Sequence, residues 1–301
     1  MSRLSVLVSK VVPTNWEIWM RSFRDKNLRK VKIEKLPEEI YSKDLIYYKI
    51  SLCITCMNRL YQLRQTLLQN ILDNIDYPNI EICLVNYNSG DGLDDFIKRN
   101  FSSYIEKGVL RYIYTKEPKT FHCSKAKNLS HYYATGDIVC NVDGDNFTGK
   151  DFAFYLNYLF NKHKLDNVFH FKKHPFWGTS GRIALTKSDF LKIGGYDEDF
   201  YPTGHQDFNL IERAKKNGLQ YHNIEVENFL RYISNSKHEK TVNVSDDKDP
   251  KPWEYYDEEN KRIAAKKFSQ GIYISNMDIN REINLQINFK DRVEQYQPYQ
   301  P

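Results

Sequence analysis

Long apolar runs are missing from this 301-residue sequence. None approaches the roughly 20 residues that span a bilayer, so no transmembrane helix is expected. The start, from Leu4 to Val12, is interrupted by Lys10 and lacks a small-residue cleavage site, which argues against a signal peptide. Cysteine is scarce, with five residues, and without export these thiols stay reduced. Cys53 and Cys56 form a lone C-x-x-C. On an extended segment, positions i and i+3 face opposite sides, and no second pair completes a zinc site, so buried free thiols are expected. No G-x-G-x-x-G follows the first apolar run, which argues against a dinucleotide site. The segment Gly144–Asp151 (GDNFTGKD) comes within one residue of a phosphate-binding loop. It puts Asp151 where a Ser or Thr hydroxyl is needed for magnesium, which disfavours an NTPase.

A basic body is also lacking. Residues 1–50 hold eleven Lys and Arg against six Asp and Glu, while the remainder holds 33 of each sign. The whole +5 net charge therefore sits at the N-terminal end, which excludes a general nucleic-acid binder with a basic face on its core. Trp16, Trp19, Met20 and Phe23 follow helical i, i+3, i+4, i+7 spacing, with basic residues around and after them. Packing of these aromatics on the main domain is the favoured reading, because Asp25, Glu34 and Glu38 dilute the basic face. The alternative is a peripheral membrane or partner contact through this segment. The expected location is the cytoplasm, at the membrane surface if that segment docks there.

What is present is a globular composition, 41% hydrophobic and 28% charged, with a strand–helix alternation from residue 49 onward. Strands are expected at 49–55, 80–85, 109–115, 137–142, 168–171 and 229–233. Helices are expected at 59–73, 94–106, 124–134, 151–162, 205–216 and 253–267. Such a βαβ series predicts an α/β fold with a mostly parallel mixed sheet and right-handed crossovers. The expected division is a basic, partly helical extension over 1–48, a catalytic domain over 49–245, and a linker, helix and polar tail over 246–301.

The run Ile138–Val142 ends in Asp143-Gly144-Asp145, two carboxylates one residue apart at the carboxyl end of a strand, where open α/β sheets bind ligands. Few protein ligands and substrate phosphates together suit a divalent cation there. Three further segments precede it: Ser51–Arg59 (SLCITCMNR), Glu81–Asp91 (EICLVNYNSGD) and Lys125-Ala126-Lys127-Asn128. In this order they resemble the nucleotide-binding half of GT-A glycosyltransferases, in particular the large family 2 group, over residues from about 49 to about 240. Downstream, Gly178–Lys187, Phe190–Phe200 with Gly194-Gly195, and Gly204-His205-Gln206-Asp207 are similar to the acceptor-side motif of inverting β-1,4-galactosyltransferases and N-acetylgalactosaminyltransferases.

The resemblance implies an α/β/α GT-A sandwich and a metal-dependent, inverting transfer from a UDP-sugar, with galactose or N-acetylgalactosamine preferred, to a hydroxyl of a glycan or glycoconjugate. Thr55, Asn58, Arg59, Asn86 and Lys127 would hold the nucleotide. Asp143 would meet the ribose or the metal, and Asp145 the metal. Asp207 would be the general base. Among His205, His222 and His238, the last best fits a further ligand to Mn2+ (or Mg2+), following the 229–233 strand. Trp177, Tyr201 and Gln206 would touch the sugars. Three positions depart from the family pattern: Asn86 stands for an acid, Lys127 for an arginine and Gln206 for a glutamate. These departures keep two other readings in view: a non-catalytic protein binding glycans or nucleotide-sugars on the same fold, and a nucleotidyltransferase.

Overall fold

The computed structural model describes residues 31–116, 118–174, 177–236, 238–245, 251–277 and 293–295, with Trp177 and 293–295 described by backbone alone. The amphipathic segment at 16–23 lies outside the described residues. In chain order, β1 (Ile50–Cys56), α1 (Leu60–Asn74), β2 (Ile80–Tyr87), α2 (Leu93–Asn100), α3 (Ser102–Glu106), β3 (Leu110–Thr115), α4 (Cys123–Tyr133) and β4 (Ile138–Asn141) come first. Then follow α5 (Phe152–His163), β5 (Asn167–Phe171), β6 (Ile183–Thr186), α6 (Lys187–Lys192), α7 (Gln206–Lys216), β7 (Gln220–Ile224), α8 (Trp253–Ser269) and β8 (Val293–Gln295).

These strands form one sheet in the order β7-β5-β6-β4-β1-β2-β3-β8, with β6 antiparallel to both neighbours and β8 antiparallel to β3. Strand β1 pairs in parallel with β2 on one side and β4 on the other. The chain winds outward through β2 and β3, then returns to lay β4 on the opposite flank. The crevice at the carboxyl ends of β1 and β4 is therefore the topological switch point. Alternation along the strands feeds two cores. Leu52 and Ile54 join Leu63 and Leu67 of α1, Ile97 of α2 and Leu156 of α5 on one face. Cys53 and Val139 join Leu129 of α4, Phe190 of α6 and Leu210 of α7 on the other. Cys53 and Cys56 thus point into opposite cores, and all five cysteines are free and buried.

Two expected elements differ. The helix expected at 94–106 is two helices, because Phe101 leaves helical geometry to bury its ring between Phe96 and Tyr104, at centroid distances of 5.5 and 6.0 Å. The strand expected at 229–233 is a 3-10 turn at Glu227–Phe229 and a single bridge from Tyr232 to Asn146. The sheet position beside β5 is taken by β7, so the later segment is free to form cleft wall with Tyr232 and Ile233. Among the described residues no helix is long and apolar enough to cross a membrane.

The near-P-loop spends its polar groups on packing. Thr148 N donates to Asn70 Oδ1 at 2.8 Å, its hydroxyl accepts from Asn74 at 2.9 Å, and Asp151 accepts from the Tyr41 hydroxyl at 2.8 Å. None of these groups is left to cradle a phosphate.

Glu81 on β2 ties three segments together. Its carboxylate accepts from Ser51 Oγ (2.7 Å), Thr135 N (2.8 Å), Thr135 Oγ1 (2.7 Å) and Arg111 Nε (3.0 Å). Burial pushes its pKa up, but these donors outweigh burial and hold it below the ordinary glutamate value. Glu81→Gln is expected to remove about 2 kcal/mol of stability at neutral pH. A depressed carboxyl stabilises only while ionised. The difference between the two proteins should therefore shrink as pH falls below the unfolded-state value of about 4.3 toward the folded one. Urea denaturation across the acid range checks both statements, and a pH-independent difference would refute the second.

Candidate active site

A cleft of about 620 Å³ opens at the switch point. Thr55 enters it from the end of β1, Arg59 from the β1–α1 turn, Lys127 from α4, Asp143 and Asp145 from beyond β4, and Gln206 and Asp207 from the start of α7. Seven of the residues singled out from the sequence are thereby brought together.

Lys127 is the hub. Its side chain is 3% exposed, and its ammonium donates to Asp207 Oδ1 at 2.7 Å, stands 3.4 Å from Asp143 Oδ1 and lies 5.3 Å from the Tyr196 ring centre. Burial favours a neutral lysine, but the charges of Asp143 and Asp207 outweigh it and hold the group protonated well beyond its usual range. Burial also pushes Asp143 upward. Lys127 and the Asn141 amide, donating at 3.0 Å, overcome that and hold it below the ordinary aspartate value. Asp207 stays raised, by burial and by Asp143, with Lys127 opposing. A raised carboxylate is the better proton acceptor.

Asp145 is pushed up to about 6, first by burial and then by the neighbouring Asp143 charge. Its oxygens accept from the Asn146 amide at 2.6 Å and from the Asn235 amide. Asn146 is held in turn by Arg182, whose Nη2 donates to Asn146 Oδ1 at 3.1 Å and to Phe147 O at 2.9 Å. Two half-buried carboxylates of hard oxygen, open to the cleft and one residue apart, are chemically suited to a divalent cation. The site is narrow. A Cβ at Gly181 would lie 2.6 Å from Asp143 Oδ2 and 3.1 Å from Lys127 Nζ, so a side chain there would have to displace the Asp143 carboxylate.

Other expected residues do not reach the cleft. Asn58, at φ +53, joins two loops: its Oδ1 accepts from Gly90 N at 2.7 Å and its N donates to Ser89 Oγ at 3.1 Å. Asn86 is buried beneath the second loop, accepting from Ser89 N at 2.8 Å and donating to the Tyr112 hydroxyl at 2.9 Å, so both ends of its amide are used. Asp91 accepts from Leu60 N at 2.7 Å and caps α1. Tyr201 is exposed against Tyr255 and Tyr256, outside the cleft wall. The Trp177 side chain lies outside the described residues.

His238 is exposed in a turn, and among the described residues no three His, Cys, Asp or Glu side chains gather as a metal cluster. The same segment instead delivers Asn235, which also accepts from Arg59 Nη1 at 3.2 Å and from the Gln62 amide. His222 Nε2 donates to Asn167 Oδ1 at 2.7 Å on the far edge of the sheet, away from the cleft.

Sequence reasoning missed Asn141, Asn146, Arg182, Gln62 and Asn235. The first two flank Asp143-Gly144-Asp145, and Arg182 follows Gly181, so a local signal existed for those three. Asn235 lies 90 residues from the Asp145 it contacts, and nothing in its neighbourhood marks it.

An α/β/α sandwich with an Asp-x-Asp at the switch point of a mostly parallel sheet defines the GT-A class of nucleotide-sugar transferase folds. The chain belongs to glycosyl transferase family 2, whose family model matches residues 51–222. No curated protein sequence matches it. Among solved structures, TarS 1-349 from S. aureus in complex with UDP-GlcNAc is similar at 16% identity and TM-score 0.53, with 64% of this chain and 60% of that one covered. The mannosyltransferase PcManGT from Pyrobaculum calidifontis, in complex with GDP-Man and Mn2+, is similar at 16% identity and TM-score 0.51, with 70% and 60% covered. GalNAc-T7 with UDP, GalNAc and Mn2+ is similar at 14% identity and TM-score 0.50, with 64% and 45% covered. The alignments span no more than 60% of the length of these three chains.

Proposed function

We propose that the chain is a metal-dependent, inverting glycosyltransferase that moves a sugar from a UDP-sugar to a hydroxyl of a glycan or glycoconjugate. One observation carries the reading: a single buried ammonium, Lys127, touches both the strand-end Asp143 and the separate carboxylate Asp207 in one cleft. Strand-end carboxylates and a separate carboxylate sharing one ammonium support a reading in which the donor and the acceptor meet at this point.

Asp143 and Asp145 would hold a divalent cation together with diphosphate oxygens, and manganese or magnesium both suit carboxylate oxygen. Such an ion supplies neutralisation of the charge that develops on the leaving diphosphate. The protein's own groups do the rest. Thr55 and Arg59 flank the nucleotide end, and Arg59 would exchange its present bonds to Asn235 and to the Glu239 carbonyl for the donor. Asp207 takes the proton from the acceptor hydroxyl as that oxygen bonds to the anomeric carbon and the bond to the diphosphate breaks. Lys127 keeps Asp207 in place and offsets the negative charge gathered around the reacting atoms. The preference for galactose or N-acetylgalactosamine rests on the likeness of Gly178–Asp207 to the acceptor-side motif, and that for uridine on the family resemblance of the nucleotide-binding half. GalNAc-T7 bound to UDP, GalNAc and Mn2+ is a fold neighbour in keeping with it.

The test is nucleotide release from a panel of UDP- and GDP-sugars with manganese, magnesium or EDTA, together with manganese titration in the presence of UDP. Metal-dependent release from a UDP-sugar is the expected result. Asp145→Ala should abolish metal-dependent nucleotide binding. Unchanged manganese affinity in that variant would overturn the metal assignment.

A further inference from the structure

Helix α8 begins thirty residues beyond the matched region 51–222, yet it is built into the cleft. Its first residue, Trp253, and its fifth, Asp257, lie one helical turn apart on the same face. Both line the cleft, beside His205 and Phe208 at the start of α7.

Two features fix α8 in this position. Gly204 has φ +92, and a Cβ there would stand 2.7 Å from Asp257 Cα, so the strand of chain leading to Asp207 runs directly against the α8 backbone. Asn260, fully buried one turn after Asp257, donates to Gly204 O at 2.7 Å and Thr203 O at 3.0 Å and accepts from Tyr201 N at 2.7 Å. An asparagine that satisfies this many loop groups makes the loop and the helix one unit. The loop ends in the residue proposed as the base, so the α8 face is a wall joined to it that the family region does not supply.

The chemistry of that wall is specific. Trp253 is half-buried, with the Lys240 ammonium 5.4 Å from its ring centre, and Phe208 is 43% exposed. Flat, partly open aromatic faces suit the C–H face of a pyranose ring. The Asp257 side chain is 14% exposed, with Lys261 2.8 Å from Oδ2. An ionised carboxylate only accepts hydrogen bonds, so it selects hydroxyl donors. Asp207 lines the same cleft, and each of the two carboxylates already has a lysine beside it, so the pair calls for neutral hydroxyl donors and not for a further charge. The buried carbonyl oxygen of Gln206, also a cleft residue, has no hydrogen-bond partner and can accept one more hydroxyl.

We propose that Trp253 and Asp257 of α8 form the acceptor subsite, and that the acceptor is a neutral pyranoside whose reacting hydroxyl is held against Asp207. The proposal rests on the reading of the cleft as a sugar-transfer site. It makes α8 part of the catalytic unit, so a boundary at residue 245 would cut through the site.

Saturation-transfer NMR on the full chain, with UDP and Mn2+ present and again without them, would compare two probe sets: neutral methyl pyranosides and sugar phosphates. A neutral member should bind, and Trp253→Ala and Asp257→Asn should each weaken it by about tenfold, the effect of losing one good contact. Manganese–UDP affinity, measured by calorimetry, should be unchanged in both variants. Asp257→Asn keeps shape and volume, so it tests the idea even if Trp253→Ala perturbs folding. Equal binding in Asp257→Asn, binding of sugar phosphates alone, or binding of neither set would overturn the proposal. Loss of manganese–UDP binding in the wild-type chain, with neutral pyranosides still held through Asp257, would instead refute the transferase reading and leave the sugar subsite standing.

Discussion

Asp207→Asn is expected to lower the transfer rate by about 10²–10⁴-fold, the range that a positioned base contributes. The amide keeps the shape of the carboxylate but takes no proton. In the proposed mechanism Asp207 serves the acceptor, and the change leaves both Asp143 and Asp145 in the chain, so metal-dependent nucleotide binding should persist. The check is a pair of measurements on one preparation: initial rate of nucleotide release with acceptor, and manganese–UDP affinity by calorimetry. Transfer at close to the wild-type rate would refute the base assignment. Loss of both quantities together would show that Asp207 supports the site rather than the chemistry.

The second large effect concerns Lys127. Lys127→Met removes the one ammonium that is in contact with both Asp143 and Asp207. Taking away one partner of a buried ion pair leaves an uncompensated charge, and such changes destabilise by about 3–5 kcal/mol. Here two carboxylates are left, and like charges then face each other with Asp145 nearby. Part of the loss should return in the double variant Lys127→Met/Asp207→Asn, because the second change removes one of the orphaned charges. Urea denaturation of the wild type, both single variants and the double variant gives the coupling directly. Additive effects would mean that the ammonium and the carboxylate do not act as a pair. Since Lys127 is raised above its usual value, its contribution is present below the unfolded-state value of about 10.4, as long as Asp143 and Asp207 stay ionised, and on the alkaline side it is lost as pH rises through the folded value.

Several parts of this arrangement were readable in one dimension. The alternation of apolar runs with helical spacing placed every strand from β1 to β5 and most helices to within a few residues, because burial of one face imposes a period that the chain must carry locally. Asp143-Gly144-Asp145 at a strand end was recognisable for the same reason: an apolar strand that stops in two carboxylates has few other uses. The order of the Ser51–Arg59, Glu81–Asp91 and Lys125–Asn128 segments identified the family, and residues 51–222 match it. The break at Phe101 and the loss of the 229–233 strand were not legible. Each depends on what a side chain or a vacant sheet edge meets from elsewhere in the chain.

The composition of the site divides along the same line. Sequence alone named the four residues proposed for the chemistry, Asp143, Asp145, Lys127 and Asp207, and the strand and helix ends that carry them into one cleft. Tertiary structure alone decided their partners. That Lys127 faces a carboxylate 80 residues away, that Asn235 rather than His238 reaches Asp145, that Asn86 and Asn58 bond to loop groups, and that α8 is tied to the loop before Asp207 through Gly204 and Asn260 all follow from contacts between distant segments. Periodicity and motif spacing are local, whereas hydrogen-bond partners and charge neighbours are set by which chain ends the sheet order brings to the switch point.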